Sequence, residues 1–289
     1  MVFDIVITSL IKGSTYAMLA IGFSLIFGVA RIVNIAHTAF YMVAAYCIFY
    51  TTTQLGFNPF FAIIAAVALV TLLGLITFKL LIAPIREHEA AVLIATIALA
   101  IALQEVMMIL FTGDYRSVPP LIPGFATIMG VKVFYQQLLT FVSVLVVLGL
   151  MWLFLLHTKL GLAIRATAQD REVANLVGMN ESQVAMLAMG ISVGLAGVTG
   201  AVLAPLTIVE PHMWNHPLAM MLAVVVLGGL GSIKGSLYAA FILGTAEALV
   251  VFLIPAGAYL KGAVALSIMV FVLLVRPAGL FGVQFEEER

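Results

Sequence analysis

The sequence predicts an all-α polytopic membrane protein with eight to nine transmembrane or re-entrant helices, and three observations carry that prediction. Of 289 residues, 64% are hydrophobic and 9% charged, against roughly a quarter charged in soluble domains. Apolar runs recur along the whole chain at about the ~17–25 residues that a helix needs to cross ~30 Å of hydrocarbon. The polar residues gather in two connections, 113–135 and 157–183. A water-solvated fold is excluded, and residues 1–289 read as a single transmembrane domain.

The charges exclude other classes of function. Thirteen Lys and Arg balance thirteen Asp and Glu, so there is no basic excess to suggest nucleic acid and no acidic excess to suggest a disordered tail. The single cysteine, Cys47, rules out an internal disulfide and a cysteine-ligated metal cluster. The N-terminal run lacks a basic leader and a small-residue cleavage pattern, so it reads as a retained span.

In chain order the apolar runs are 8–30, 37–53, 59–82, 90–111, 134–156, 184–209, 217–231, 235–254 and 262–276. The runs 217–231 and 262–276 are short for a full crossing, which suits a re-entrant segment or one supported by neighbouring helices. Nine spans place the N-terminus outside and the C-terminus inside. The inside segments then hold nine of the thirteen cations, from Arg31 to Arg289, and the outside segments hold Lys12, Arg116, Lys132 and Lys261. Because cationic loops are retained in the cytoplasm, this orientation is the expected one.

The outer connection, 113–135, contains Pro119, Pro120 and Pro123 and reads as a surface loop biased toward extended or turn geometry. The inner connection, 157–183, has a helical composition. Leu160 to Ala168 are good helix formers, Asp170 is placed to cap a second helix from Arg171 to Val177, and Gly178 would end it. Asn180 and Gln183 are spaced as a capping box for the next span. Val173, Leu176 and Val177 form an apolar stripe that suits either a groove on a partner or the chain's own bundle.

Four blocks resemble a known family. They are Gly28-Val-Ala-Arg-Ile-Val-Asn-Ile-Ala-His-Thr-Ala-Phe-Tyr-Met42, Gly161-Leu-Ala-Ile-Arg-Ala-Thr-Ala-Gln-Asp-Arg-Glu-Val-Ala-Asn-Leu-Val-Gly178, Leu227-Gly-Gly-Leu-Gly-Ser-Ile-Lys-Gly235 and Val275-Arg-Pro-Ala-Gly-Leu-Phe-Gly282. Together they resemble the branched-chain amino acid ABC permease family of the LivH type, in order across nearly the whole chain. The resemblance implies an ABC importer permease bundle with no cofactor of its own. ATP and Mg would be held by two ATP-binding subunits of the LivG/LivF type. A second, LivM-type permease subunit and an external substrate-binding protein would complete the complex in the inner membrane. It also implies that the elbow couples to the ATPase, with Gly161, Arg165, Ala168, Asp170, Arg171, Ala174 and Gly178 on the matching positions. Two departures stand out. Lys234 replaces a usual proline, and Thr38 and Ala39 follow His37 where the family shows glycine and an acidic residue.

No G-x-x-x-x-G-K-[ST] occurs, so the glycines from Gly228 to Gly235 read as a tight turn or a close approach of two helices, not a phosphate loop. Gly190, Gly194, Gly197 and Gly200 put a smooth face on one helix for a neighbour or a partner permease. Asn34 is a reasonable cap for the helix containing His37, and both are candidates for the translocation pathway. Glu105 and Glu247 are the two acidic residues well inside predicted spans. A charge there costs at least ~2.5 kcal/mol, so both are expected to face the bundle interior or a watery cavity. They are either further candidates for the translocation pathway that attract an amino group from the outer side, or hydrogen-bonding partners of polar neighbours such as Gln104. His212 and His216 lie between Pro211 and Pro217 without a helical pattern, so no metal site is expected. The alternative to an importer subunit is an independent secondary transporter or channel for small polar solutes, which would show inverted repeats and intramembrane ion ligands. A membrane enzyme would need a convergent nucleophile and base or paired carboxylates. Glu105 and Glu247 are far apart in sequence, no H-E-x-x-H occurs, and the G-x-S-x-G match at Gly190-Ile-Ser-Val-Gly194 lies inside an apolar run and not at a strand-to-helix turn.

Overall fold

The computed structural model describes residues 2–128 and 131–281. Gly282 of the fourth block and Arg289 lie outside the described residues. The chain forms α1 (Val2–Ala30), α2 (His37–Phe49), α3 (Pro59–Thr77), α4 (Glu89–Phe111), α5 (Tyr135–His157), α6 (Lys159–Gln169), α7 (Arg171–Leu176), α8 (Glu181–Leu203), α9 (Asn215–Gly228), α10 (Ile233–Leu253) and α11 (Gly257–Val275). A two-stranded antiparallel hairpin, β1 (Phe125–Ile128) and β2 (Val131–Phe134), pairs Phe125 with Phe134. It falls in the connection expected to be a loop and, with an isolated bridge between Arg116 and Val209, departs from an all-α chain.

Each of the nine apolar runs becomes a helix. Six of the resulting helices are long and apolar enough to cross a membrane among the described residues. The short run 217–231 is the 14-residue α9. α2 is shorter than its run suggested, 13 residues, and is prolonged by a π-helical turn over Tyr50–Gln54. A similar turn, Phe78–Ile82, prolongs α3, where Pro84 has no amide to offer the preceding turn.

The helices sort into two kinds by what covers them. The apolar window of α1 is 83% buried and that of α8 67%, against 22% for α3, 28% for α4 and 22% for α5. A helix that is apolar on every side and covered on every side belongs at the centre of a bundle. α3 packs inward through Ala62, Ala66, Val70 and Gly74 alone. Its other faces present Phe61, Ile64 and Leu72 outward. Such a contiguous apolar belt needs lipid as its solvent.

Small residues set the closest contacts. A methyl group added to Gly244 of α10 would lie 2.6 Å from the Gly13 amide nitrogen of α1, so the two backbones touch where these helices cross. The smooth face of α8 is used inside the chain: Gly190 and Gly194 meet Leu75 and Thr71 of α3, Gly197 meets Val70, and Gly200 lies against Tyr41 and Ala44 of α2.

The connections collect at two ends. Arg31 after α1 shares a recess with Arg86 and Glu89 between α3 and α4. The same arginine shares another with Ala168, Gly231 and Pro277. At the opposite end Phe49 and Tyr50 surround Phe111, and Arg116 exchanges backbone hydrogen bonds of 3.0 and 2.9 Å with Val209. Arg31 and Arg86, expected on one side of the membrane, thus share one end of the bundle, and Arg116, expected on the other, lies at the opposite end.

Candidate functional site

The elbow forms as its sequence predicts, except that at the start of α8 the Asn180 cap forms without the reciprocal Gln183 bond of a capping box. The Asp170 side chain accepts from the Val173 amide at 3.0 Å and caps α7. Asn180 accepts from the Gln183 amide at 3.1 Å and caps α8. Gly178 turns the chain between them with φ +87°, a conformation that favours glycine. Thr158 caps α6 through the Gly161 amide at 2.9 Å. Gly161 is wedged against α5, where an added methyl would lie 2.6 Å from the Leu155 carbonyl oxygen. Ala174 is buried, whereas Val173, Leu176 and Val177 are 54%, 86% and 68% exposed. The apolar stripe of α7 therefore faces away from the chain's own bundle.

The arginines of this end are held by acidic neighbours. Glu181 lies 3.6 Å from both Arg86 and Arg171. Burial lowers the Arg171 pKa, the Glu181 carboxylate opposes that shift, and Arg31 and Arg86 add to it. Arg165 is exposed, and its guanidinium donates to the Leu156 carbonyl at 3.5 Å.

The four sequence blocks converge here. Leu280 and Phe281 donate backbone hydrogen bonds to the carbonyls of Leu227 and Gly228 at 2.8 and 3.0 Å. A methyl on Gly28 would touch the Gly231 carbonyl at 3.4 Å and the Ala168 Cβ at 4.0 Å. Gly28, Ala168, Gly231 and Pro277, one from each block, line a recess of about 490 Å³. Gly228 and Gly235 make the close helix approach read from their sequence, since a methyl on Gly228 would lie 2.6 Å from the Gly235 oxygen. Lys234 sits with its ammonium 5.8 Å from the centre of the Trp152 ring of α5, a cation–π contact.

Asn34 and His37 occupy the interior. Both are fully buried. The His37 Nδ1 lies 3.2 Å from the Ser192 hydroxyl of α8, and its ring meets Phe23 edge-on at 6.4 Å. Asn34 is not the cap expected for α2. The N-cap is Ala36, which makes no side-chain bond, and the Asn34 amide instead points at the Met189 sulfur at 3.6 Å. The strap before α2 is held by Thr96 of α4, whose hydroxyl accepts from the Ile35 amide at 3.3 Å.

The two acidic residues part company. Glu247 is 1% exposed. It pairs with Lys12 of α1 at 2.5 Å and accepts from the Tyr16 hydroxyl at 2.6 Å. This cluster borders a cavity of about 310 Å³ between α1, α10 and the α8–α9 connection. Lys12 was assigned to an outer segment by charge counting, yet it sits in the first apolar run one helical turn before Tyr16, the spacing of neighbours on one face. A lysine inside a span is itself a signal for a buried carboxylate partner.

Glu105, by contrast, is exposed on α4, which corrects the expectation that it faces the interior. The buried stripe of α4 is Val92, Thr96, Ala100, Gln104 and Met107, and one residue further along a helix turns a side chain by about 100°. Gln104 takes the inward place. It accepts from the Trp214 indole nitrogen at 2.9 Å, while its amide reaches Glu105 at 3.2 Å. Replacing Gln104 with leucine strands this buried indole N–H, at a cost of about 1–3 kcal/mol. Tryptophan emission in a Trp152→Phe background, where Trp214 is the remaining indole, should shift with an earlier thermal transition.

The matched and unmatched residues thus form two regions on one scaffold, an elbow region at one end and the Lys12–Glu247 cavity in the other half, with His37 and Asn34 in the packed interior. A family described as the permease component of the branched-chain amino acid transport system matches residues 5–273. The chain is 30% identical to the high-affinity branched-chain amino acid transport system permease protein BraD of Pseudomonas aeruginosa, over 96% of this chain and 94% of that one. It is 29% identical to the corresponding LivH of Salmonella typhimurium, over 93% and 92%. A probable LivH of Methanocaldococcus jannaschii is 26% identical over 96% and 92%. Among solved structures, PsaBC from Streptococcus pneumoniae in complex with a Fab shares the fold at a TM-score of 0.50 and 17% identity, over 94% of this chain and 91% of that one. With its membrane-length helices, this multi-pass membrane protein belongs to the branched-chain amino acid transport system permease family.

Proposed function

We propose that this chain is a permease subunit of an ATP-driven importer of branched-chain amino acids, and that α7 is the surface through which an ATP-binding subunit drives it. The observation that carries the reading is the stripe of Val173, Leu176 and Val177, exposed on a polar segment that is capped at both helix starts. Apolar side chains held outward on a rigid short helix suit a groove on a protein partner. Arg165, Arg171 and Asp170 flank that stripe in the elbow and give the docking face its polar rim.

The elbow end then faces the cytoplasm of a cell enclosed by its inner membrane, in keeping with the arginines gathered there. The opposite end, with the β1–β2 hairpin, faces the external binding protein. A second, LivM-type permease subunit completes the pair, and ATP and Mg reside on LivG/LivF-type subunits. The permease contributes no bond-making chemistry. Its work is to exchange two packings of the bundle when α7 is moved, with Gly161 fixing α6 to α5 so that a push on the elbow reaches the long helices.

Reconstituted with its partner subunits, the complex should accumulate radiolabelled leucine only when ATP is inside the vesicle with the nucleotide subunits and the binding protein is on the other side. Leucine uptake by this chain alone, driven by an ion gradient, would overturn the reading in favour of a secondary transporter.

A further inference from the structure

We propose that the cavity beside Glu247 is a subsite for a zwitterionic aliphatic amino acid, with Glu247 receiving the α-ammonium group and Lys12 the α-carboxylate. The inference rests on the import reading above and adds the place where this chain itself would hold the cargo. Nothing in the packing requires Lys12, Tyr16 and Glu247 to be polar. A buried ion pair is commonly replaceable by apolar residues without loss of stability, and the pair here, next to the close Gly13–Gly244 crossing of α1 and α10, has its charged ends on a cavity.

The charge pattern selects the ligand. Lys12 and Glu247 sum to zero, and so does an amino acid at neutral pH. A zwitterion that enters exchanges one internal ion pair for two external ones and leaves no charge uncompensated. A primary amine would pair with Glu247 and strand Lys12, and a carboxylic acid would do the reverse. In a site of low dielectric each stranded charge is costly.

The geometry permits the exchange. Glu247 is 1% exposed and anchored by the Tyr16 hydroxyl, so it is the fixed half. The Lys12 side chain is 29% exposed and ends a flexible four-carbon stem, so it is the half that swings onto the ligand carboxylate. Leu19, Leu203 and Leu206 face the same cavity and supply an apolar wall for an aliphatic side chain. At about 310 Å³ the space stands at the lower end of the ~300–1,000 Å³ typical of small-ligand pockets, which suits a ligand of amino-acid size.

The test uses the assembled transporter without its external binding protein, so that selectivity elsewhere does not intrude. Thr8 is half-buried and lines the cavity. In a Thr8→Cys, Cys47→Ala variant, the alkylation rate at position 8 is followed by mass spectrometry. Millimolar L-leucine, at about four times its Kd, should slow it by about fivefold, while isoamylamine and 4-methylpentanoate should leave it unchanged. The same measurement in a Lys12→Met, Glu247→Gln background, which keeps an acceptor for Tyr16, should show no protection. Equal protection by all three compounds, no protection by leucine, or protection that survives the double change would each overturn the subsite. Copurifying ATP-binding subunits and ATP hydrolysis are scored on the same preparation. Their absence sinks the import reading, whereas their presence without leucine protection sinks the subsite alone.

Discussion

Glu247→Gln is expected to lower the stability of the assembled protein by about 3 kcal/mol, the lower end of the cost of breaking a buried ion pair by removing one partner. The substitution keeps the size of the side chain and an oxygen to accept from the Tyr16 hydroxyl, now 2.6 Å from the carboxylate. What it removes is the negative charge opposite Lys12. The lower end applies because the Lys12 side chain is 29% exposed, so the stranded ammonium still has some access to water in the cavity. Against a total stability of ~5–15 kcal/mol for a typical folded protein, the change should be visible as a lower thermal transition in detergent and a smaller folded yield. Lys12→Met should cost more, toward about 5 kcal/mol, because the carboxylate it strands is 1% exposed. The double variant Lys12→Met, Glu247→Gln should recover most of the loss, because neither residue is then charged. If the two single losses simply add in the double variant, α1 and α10 are not coupled through this pair.

The pair also shows where the sequence was legible and where it was not. The nine apolar runs located every long helix, because crossing a membrane imposes a length that hydropathy records directly. The elbow was equally legible. Asp170, Gly178 and Asn180 act on the backbone within three residues of themselves, so their roles are local and can be read locally. What the runs did not give is rotational phase. A span that is apolar on every side has almost no periodic asymmetry in hydropathy, and so hydropathy did not distinguish Gln104 from Glu105 as the inward residue of α4. The signal that does carry phase is a four-residue stripe of small or polar side chains, as in Ala62, Ala66, Val70 and Gly74 of α3 or Val92, Thr96, Ala100 and Gln104 of α4. Glu247 is buried, as the cost of a charge inside a span leads one to expect, but its partner Lys12 stands 235 positions away and no spacing rule reaches that far. Asn34 misled for a related reason. Its type suits a cap, yet Thr96 on another helix holds the strap, and Asn34 turns to Met189 instead.

Leu176→Asp should separate coupling from folding more sharply than any change to the elbow's charges. Arg171 is tied to Glu181 and Asp170 caps α7, so replacing either disturbs the elbow itself and blurs the result. Leu176 is 86% exposed, and an exposed substitution away from a cap or a pair typically moves stability by no more than ~0.5 kcal/mol. The thermal transition of the permease should therefore stay where it is. Docking is another matter. Burying a leucine side chain at an interface is worth about 1.5–3 kcal/mol, and a carboxylate in its place brings a desolvation cost as well. At 1.4 kcal/mol per factor of ten, the affinity for the ATP-binding subunit should fall by about ten- to a hundredfold or more, measured by surface-immobilised capture of that subunit. ATP-dependent leucine uptake should fall with it. Glu172→Ala, on the same short helix but off the apolar stripe, provides the comparison and should retain most of the affinity. A Leu176→Asp complex that assembles and transports like the native one would mean that the exposed face of α7 is not where the force enters.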